Sequence, residues 1–386
     1  MIRKAALIAV LAGLTAGVVA AQSPAARPGW NREAAAGYLD ARMDAWFASG
    51  KPLRTGEGGE VTCVSCHTVV PYVLARPALR RAMRVTAPTP QETRVLQGVI
   101  RRVETYETQE AFYDVSDAKK VQSRGTEAVV NALILASADA ERAQRPSSEP
   151  TRRAFRHLWE TQRADGAWDW LDFGLEPFES AGATYYGATL AALAAGLGGP
   201  AATPSADGVS GMNKLRAYLI ERYPGENLFN RTSLLLASTR WKDLMSPAQR
   251  EVLVGELRKA QQADGGWSLG AMPGWRWGRG GWRARPPGTP DATLLARSDG
   301  YATGLVVYTL RSTGIGPDDP AVKRGMRWLE SHQEKVAVGE RAYPAWRSHS
   351  LNYDREHGGE RGEAWRRLFM SDAATAFAVL ALLPGD

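Results

Sequence analysis

The chain has only two cysteines, and they stand three positions apart in Cys63-Val64-Ser65-Cys66-His67. Two thiols at this spacing, with an imidazole directly after the second, form the pattern of covalent c-type haem attachment. Each thiol can make a thioether to one vinyl group, and the adjacent His67 is then held where it can ligate iron from one axial side. On this reading Cys63, Cys66 and His67 bind one haem c per chain. Other chemistry open to the same residues is a redox disulfide, a zinc site lacking a local fourth ligand, or a pair of free thiols.

A second axial ligand is not set by local spacing. Met83 is the nearest downstream thioether and is the expected iron ligand opposite His67. Met43, His157, His349 and His357 are alternatives, as is an open distal position. A thioether ligand favours a higher potential than a second imidazole.

The segment ahead of the motif reads as a secretory signal over residues 1–21. Arg3 and Lys4 supply the positive start, Ala5 to Ala20 an apolar run of small residues, and Val19-Ala20-Ala21 a cleavage site before Gln22. Retention of this run as an anchor is the alternative. The expected location is therefore periplasmic or otherwise exported, and peripheral membrane association is compatible with it. The net charge of +7 is thinly spread, with arginines alternating with acids, so nucleic acid is not an expected partner. About 365 residues would remain after cleavage, enough for one large repeat domain or two ordinary ones.

The elements that must position the motif show themselves as a repeat. Gln162-Arg163-Ala164-Asp165-Gly166-Ala167-Trp168 recurs as Gln261-Gln262-Ala263-Asp264-Gly265-Gly266-Trp267. A third copy keeps its helix and glutamine, Trp328-Leu329 to Gln333, but shows no following Gly and Trp in register. Between these lie Ala/Leu-rich helices that open near Thr126, Thr184, Thr232, Thr303 and Thr375, each preceded by a more polar one. Gln261 to Gln333 and Thr303 to Thr375 share one offset, which argues for duplication. Helices apolar on every side belong in an inner layer, and their polar partners outside. The expected fold is all-α: a toroid of five helix pairs, or six with the element at Asn31–Phe47. It would span residues 91–386, with a separate haem segment over residues 22–90. In the repeated turns Gln is expected to bridge backbone groups, Gly to allow the reversal, and Trp to cover it.

From Thr126 to Leu383 these Gln162/Gly166/Trp168 and Gln261/Gly265/Trp267 elements resemble the squalene–hopene cyclase and prenyltransferase superfamily. That resemblance implies an α/α toroid. It also implies an apolar or isoprenoid ligand and, for a cyclase, a central acid in an Asp-x-Asp-Asp segment. The chain has no such segment. Its nearest counterparts are Asp169-Trp170-Leu171-Asp172 and Asp318-Asp319. The zinc site of the prenyltransferases would need a cysteine among the repeats, and both cysteines precede them.

Two further segments mix aromatics with charge. Trp168 to Glu179 could line a ligand pocket or the haem edge, and Trp275 to Arg283 could meet haem propionates or an anionic partner. The functional expectation is an exported monohaem protein that passes single electrons to a redox protein partner or senses a small ligand. An isoprenoid-binding enzyme with a non-standard acid and a periplasmic scaffold without redox chemistry are the alternatives.

Overall fold

An Ala/Leu-rich helix with no polar face is stable only when covered on all sides, and the inner helices of this fold cover one another. The computed structural model describes residues 29–49, 53–56, 59–143, 146–203, 205–275, 295–349, 351 and 360–384. The expected signal over residues 1–21 lies outside them. The inner helices are α2 (Val69–Ala82), α4 (Asp117–Glu141), α6 (Thr184–Gly198), α8 (Leu228–Ser238), α10 (Gly300–Ser312) and α12 (Glu360–Leu382). They pack side by side in that order, and α12 returns to α2, so the ring is closed. At the α10–α12 contact the backbones meet through Gly304, where a Cβ would lie 2.6 Å from the amide nitrogen of Ala378.

The outer helices are α1 (Arg32–Ala48), α3 (Pro90–Glu104), α5 (Glu149–Glu160), α7 (Ala206–Arg222), α9 (Pro247–Lys259) and α11 (Pro320–Ser331). Each of α3 and α11 buries a single stripe: Val95, Val99, Arg102 and Val103 in α3, and Ala321, Val322, Gly325, Trp328 and Leu329 in α11. Sequence alone announces several of their starts. Thr89 and Glu92 form a capping box around Pro90, Ser246 and Gln249 do the same around Pro247, and Asp319 caps α11 ahead of Pro320.

The repeated turns are superimposable in chemistry. Gly166 and Gly265 both take φ +95°. Nε2 of Gln162 donates to the carbonyls of Gly166 and Gly211, and Nε2 of Gln261 to those of Gly265 and Ala321. Each glutamine thus ties its own turn to the next outer helix. The indoles of Trp168 and Trp267 donate to the carbonyls of Leu158 and Leu257.

The third copy lacks the glycine, as its sequence indicates, with Pro344 accepting from Gln333 in its place, but it keeps a tryptophan, which corrects that part of the sequence expectation. A hairpin, β3 (Glu334–Val338) with β4 (Arg341–Ala345), is inserted after Gln333. Trp346 beyond it donates to the carbonyl of Leu329 at 2.8 Å, as its counterparts do. Threonines repeat the pattern: Thr303 accepts from the amide of Trp267, and Thr375 from that of Trp346. Gln333 exchanges hydrogen bonds with the backbone of Asn31, the N-cap of α1, at 2.8 and 3.2 Å. The last outer helix is thereby fastened to the first.

The N-terminal segment is accordingly part of the toroid. Asn31–Asp386 is one compact unit, and no boundary falls at residue 90. The sequence reading missed α2 because Pro71 and Pro77 interrupt it. Pro71 falls in the first turn, where the absent N–H has no helical partner to lose, and Pro77 is carried inside by the packing of α12 and α4.

Candidate functional site

The motif is the entry to α2. The Ser65 hydroxyl oxygen accepts from the amides of Thr68 and Val69, so residues between the cysteines cap the helix that follows them. A short hairpin, β1 (Leu53–Gly56) with β2 (Gly59–Thr62), delivers the chain to Cys63. Cys63 packs with Val61, Phe112 and Tyr113, and Cys66 is completely buried. The two sulfurs are not bonded to each other. Burial pushes both thiols up, Cys66 well above its usual range, with the nearby Glu179 carboxyl adding to the effect. Buried, high-pKa thiols are poor nucleophiles and poor partners in disulfide exchange.

His67 is half-buried, edge-on to Trp46 with ring centroids 5.9 Å apart. Burial lowers its pKa to about 4, with Asp372 opposing and Arg42 assisting, so the imidazole is neutral at ordinary pH. Its Nδ1 lies 2.9 Å from the Thr68 hydroxyl, and that hydroxyl donates to Asp372 at 2.6 Å. Asp372 also accepts from the Tyr38 hydroxyl and from both nitrogens of an Arg42 fork at 2.7 and 3.0 Å. The single hydroxyl proton of Thr68 is committed to a carboxylate that already holds a cation. Thr68 can therefore only accept from His67, which places the imidazole proton on Nδ1 and the lone pair on Nε2. This is the tautomer an Nε2-ligating histidine needs, set by an outer partner.

The acid-aromatic segment after Trp168 reaches the same cysteines. The main-chain N–H of Cys66 donates to the Glu179 carboxylate, and burial raises that carboxyl to about 7 despite this bond and the charge of Lys119. Phe173 meets Tyr113 edge-on at 4.9 Å. Glu179 and Tyr186, whose hydroxyl burial drives up further with help from Cys66 and Glu179, complete the surroundings. The mixed composition of residues 168–179 pointed to this segment; only the fold shows that Glu179 is the member reaching the motif.

Other expected residues lie elsewhere. Met83 is the C-cap of α2, a helix of 14 residues that begins two positions after His67. At 1.5 Å per residue the two are separated by about 20 Å, so Met83 cannot be the ligand opposite His67. Met43 is fully buried on α1, the helix that carries Arg42 and Trp46. His157 stacks on Tyr106 in the outer layer. His349 follows β4, and His357 lies outside the described residues. Asp169 is ion-paired with Arg163 and Asp319 caps α11, so neither Asp-rich segment supplies a central acid. Trp275 stacks on Phe229 at 5.8 Å, and residues 276–283 of its loop lie outside the described set. Among the described residues no group of three or more His, Cys, Asp or Glu is placed to hold a metal ion.

Val70, Leu74, Tyr186, Leu190, Tyr301 and Phe377 are among the side chains enclosing a space of about 20 Å³, room for one water-sized molecule.

The chain is an α/α toroid whose inner-ring mouth carries the cysteine–histidine motif. No protein-family model matches it, and no curated protein does. A solved complex of an unsaturated glucuronyl hydrolase variant with the saccharide dGlcA-Glc-Rha-Glc is similar in chain course. It is 12% identical and covers 91% of this chain and 94% of that one, with a TM-score of 0.49.

Proposed function

We propose that this is an exported c-type monohaem protein in which a helical toroid orients the iron ligand. The observation that carries the reading is the His67–Thr68–Asp372 relay, which prepares Nε2 of an imidazole that directly follows two cysteines. A haem bound here would supply one-electron exchange between ferrous and ferric iron. Cys63 and Cys66 would hold it by thioethers, each S–H adding across one vinyl group with no leaving group. Arg42, Tyr38 and Asp372 keep the relay charged and rigid. Trp46 beside His67 carries a buried indole Nε1 with no partner among the described residues, a donor suited to an anionic edge group of a porphyrin. Because the folded chain buries both thiols, attachment belongs before ring closure, on the exported unfolded chain.

The partners that suit this role are a redox protein or a small iron ligand. The cyclase-like alternative draws support from one observation, the protonatable Glu179 among aromatics, and from the Gln/Gly/Trp turns of the family resemblance. The imidazole held by Thr68 and Asp372 directly after two cysteines favours the haem reading. The deciding experiment is mass spectrometry and haem staining of the chain matured alongside haem-attachment machinery. The expected result is one covalent porphyrin, lost in the Cys63→Ala/Cys66→Ala double variant. Two unmodified thiols in correctly matured protein would overturn the proposal.

A further inference from the structure

We propose that the groove between α3 and α5 binds a small organic zwitterion, one that carries an ammonium and a carboxylate on a short chain. The groove has a volume of about 280 Å³ and is lined by Val103, Glu104 and Glu107 from the α3 side and by Arg153, Arg156, His157 and Glu160 of α5. None of these residues belongs to the surroundings of the cysteines, so the site is separate from the haem proposal.

Two independent features mark the groove. The first is His157. It is only 5% exposed, yet its Nδ1 is buried without a hydrogen-bond partner among the described residues. Orphaned buried nitrogens of this kind are uncommon and costly unless a ligand or water completes them. Tyr106 stacks on the ring at 4.3 Å and orients it. Burial, with Arg156, Arg153 and Arg124 adding to it, lowers the imidazole to about 4. It is thus a neutral group able to make one further hydrogen bond without adding charge.

The second feature is the separation of charge. The α3 side presents Glu104 and Glu107, and neither is ion-paired among the described residues. The α5 side presents Arg153 and Arg156, which share the exposed Glu149 at 3.9 and 3.3 Å. Glu160 adds a carboxylate at the end of α5. Opposite charges face one another across the groove without meeting. A ligand with one charge would satisfy one side and be repelled by the other. A zwitterion satisfies both, its ammonium on the glutamates and its carboxylate on the guanidinium groups.

The test is calorimetric titration of the full mature chain with 4-aminobutyrate, pentanoate and butylamine, in which one charged end at a time is replaced by a methyl group. The zwitterion is expected to bind at least about tenfold more tightly than either control, and to shift the His157 imidazole resonance. Glu107→Gln and Arg153→Gln should each erase that preference, with circular dichroism and thermal melts confirming that each variant is folded. Equal affinity for all three probes, no binding up to about 10 mM, or a preference that survives both variants would overturn the proposal.

Discussion

Thr68 and Asp372 are 304 positions apart, and their side chains meet at 2.6 Å. The contact joins the first inner helix to the last, so the bond that closes the ring also determines which nitrogen of His67 carries its proton. Ring closure and imidazole orientation are one arrangement. Thr68→Val removes the acceptor for Nδ1 and a donor to a buried carboxylate. The folded state should lose about 1–3 kcal/mol in a denaturant melt. In the haem-loaded protein the imidazole becomes a weaker electron donor, and the reduction potential should rise. An unchanged potential with normal loading would show that the relay does not tune His67.

Glu179 gives the fold a pH dependence of definite sign. Its carboxyl titrates near 7 when folded, against an ordinary 4.5, because burial disfavours the charge. The folded chain therefore holds this proton more tightly than the unfolded chain. Stability from this group is fully present below about pH 4.5 and declines as pH rises to about 7, by about 3 kcal/mol in all. Glu179→Gln should flatten the stability profile across that window. A profile that keeps its slope in the variant would assign the effect to other groups.

Met83 stands at the far end of α2 from His67. Met83→Leu is expected to leave the absorption spectrum and potential of haem-loaded protein unchanged. Loss of a methionine-ligand absorption signature in this variant would contradict the helix geometry.

Trp346 replaces a repeat residue that the sequence register had left vacant. Trp346→Ala, Trp168→Ala and Trp267→Ala each remove a fully buried indole that donates to a helix-end carbonyl. All three should cost about 3–5 kcal/mol. A Trp346→Ala cost below about 1 kcal/mol, measured in the same denaturant series, would deny the equivalence.

Attachment order is open to a direct comparison. Folded apoprotein mixed with reduced haem should remain unmodified, since Cys66 is fully buried and its thiol pushed up. Chain exposed to haem-attachment machinery before folding should acquire it. Rapid modification of the folded chain would show that the mouth opens readily.

Local sequence determined what depends on near neighbours. The paired thiols and imidazole are read from five consecutive residues. The Ala/Leu-rich helices announce an inner layer because they have no polar face, and Pro320 marks an outer-helix start because a proline in the first turn loses no helical hydrogen bond. The periodic glutamine, glycine and tryptophan gave the toroid its likeness before any coordinates. What only the tertiary structure decided rests on contacts between distant parts of the chain. Pro71 and Pro77 masked α2, which becomes the sixth inner helix once α4 and α12 cover it. The β3–β4 insertion shifted Trp346 out of register while leaving it on the carbonyl of Leu329. Met83, near His67 in sequence, is carried a helix length away, whereas Asp372 and Glu179 arrive at the motif from remote segments. Helix periodicity and capping act over a few residues, but the protonation of an imidazole and the burial of a carboxyl follow from which helices close the ring.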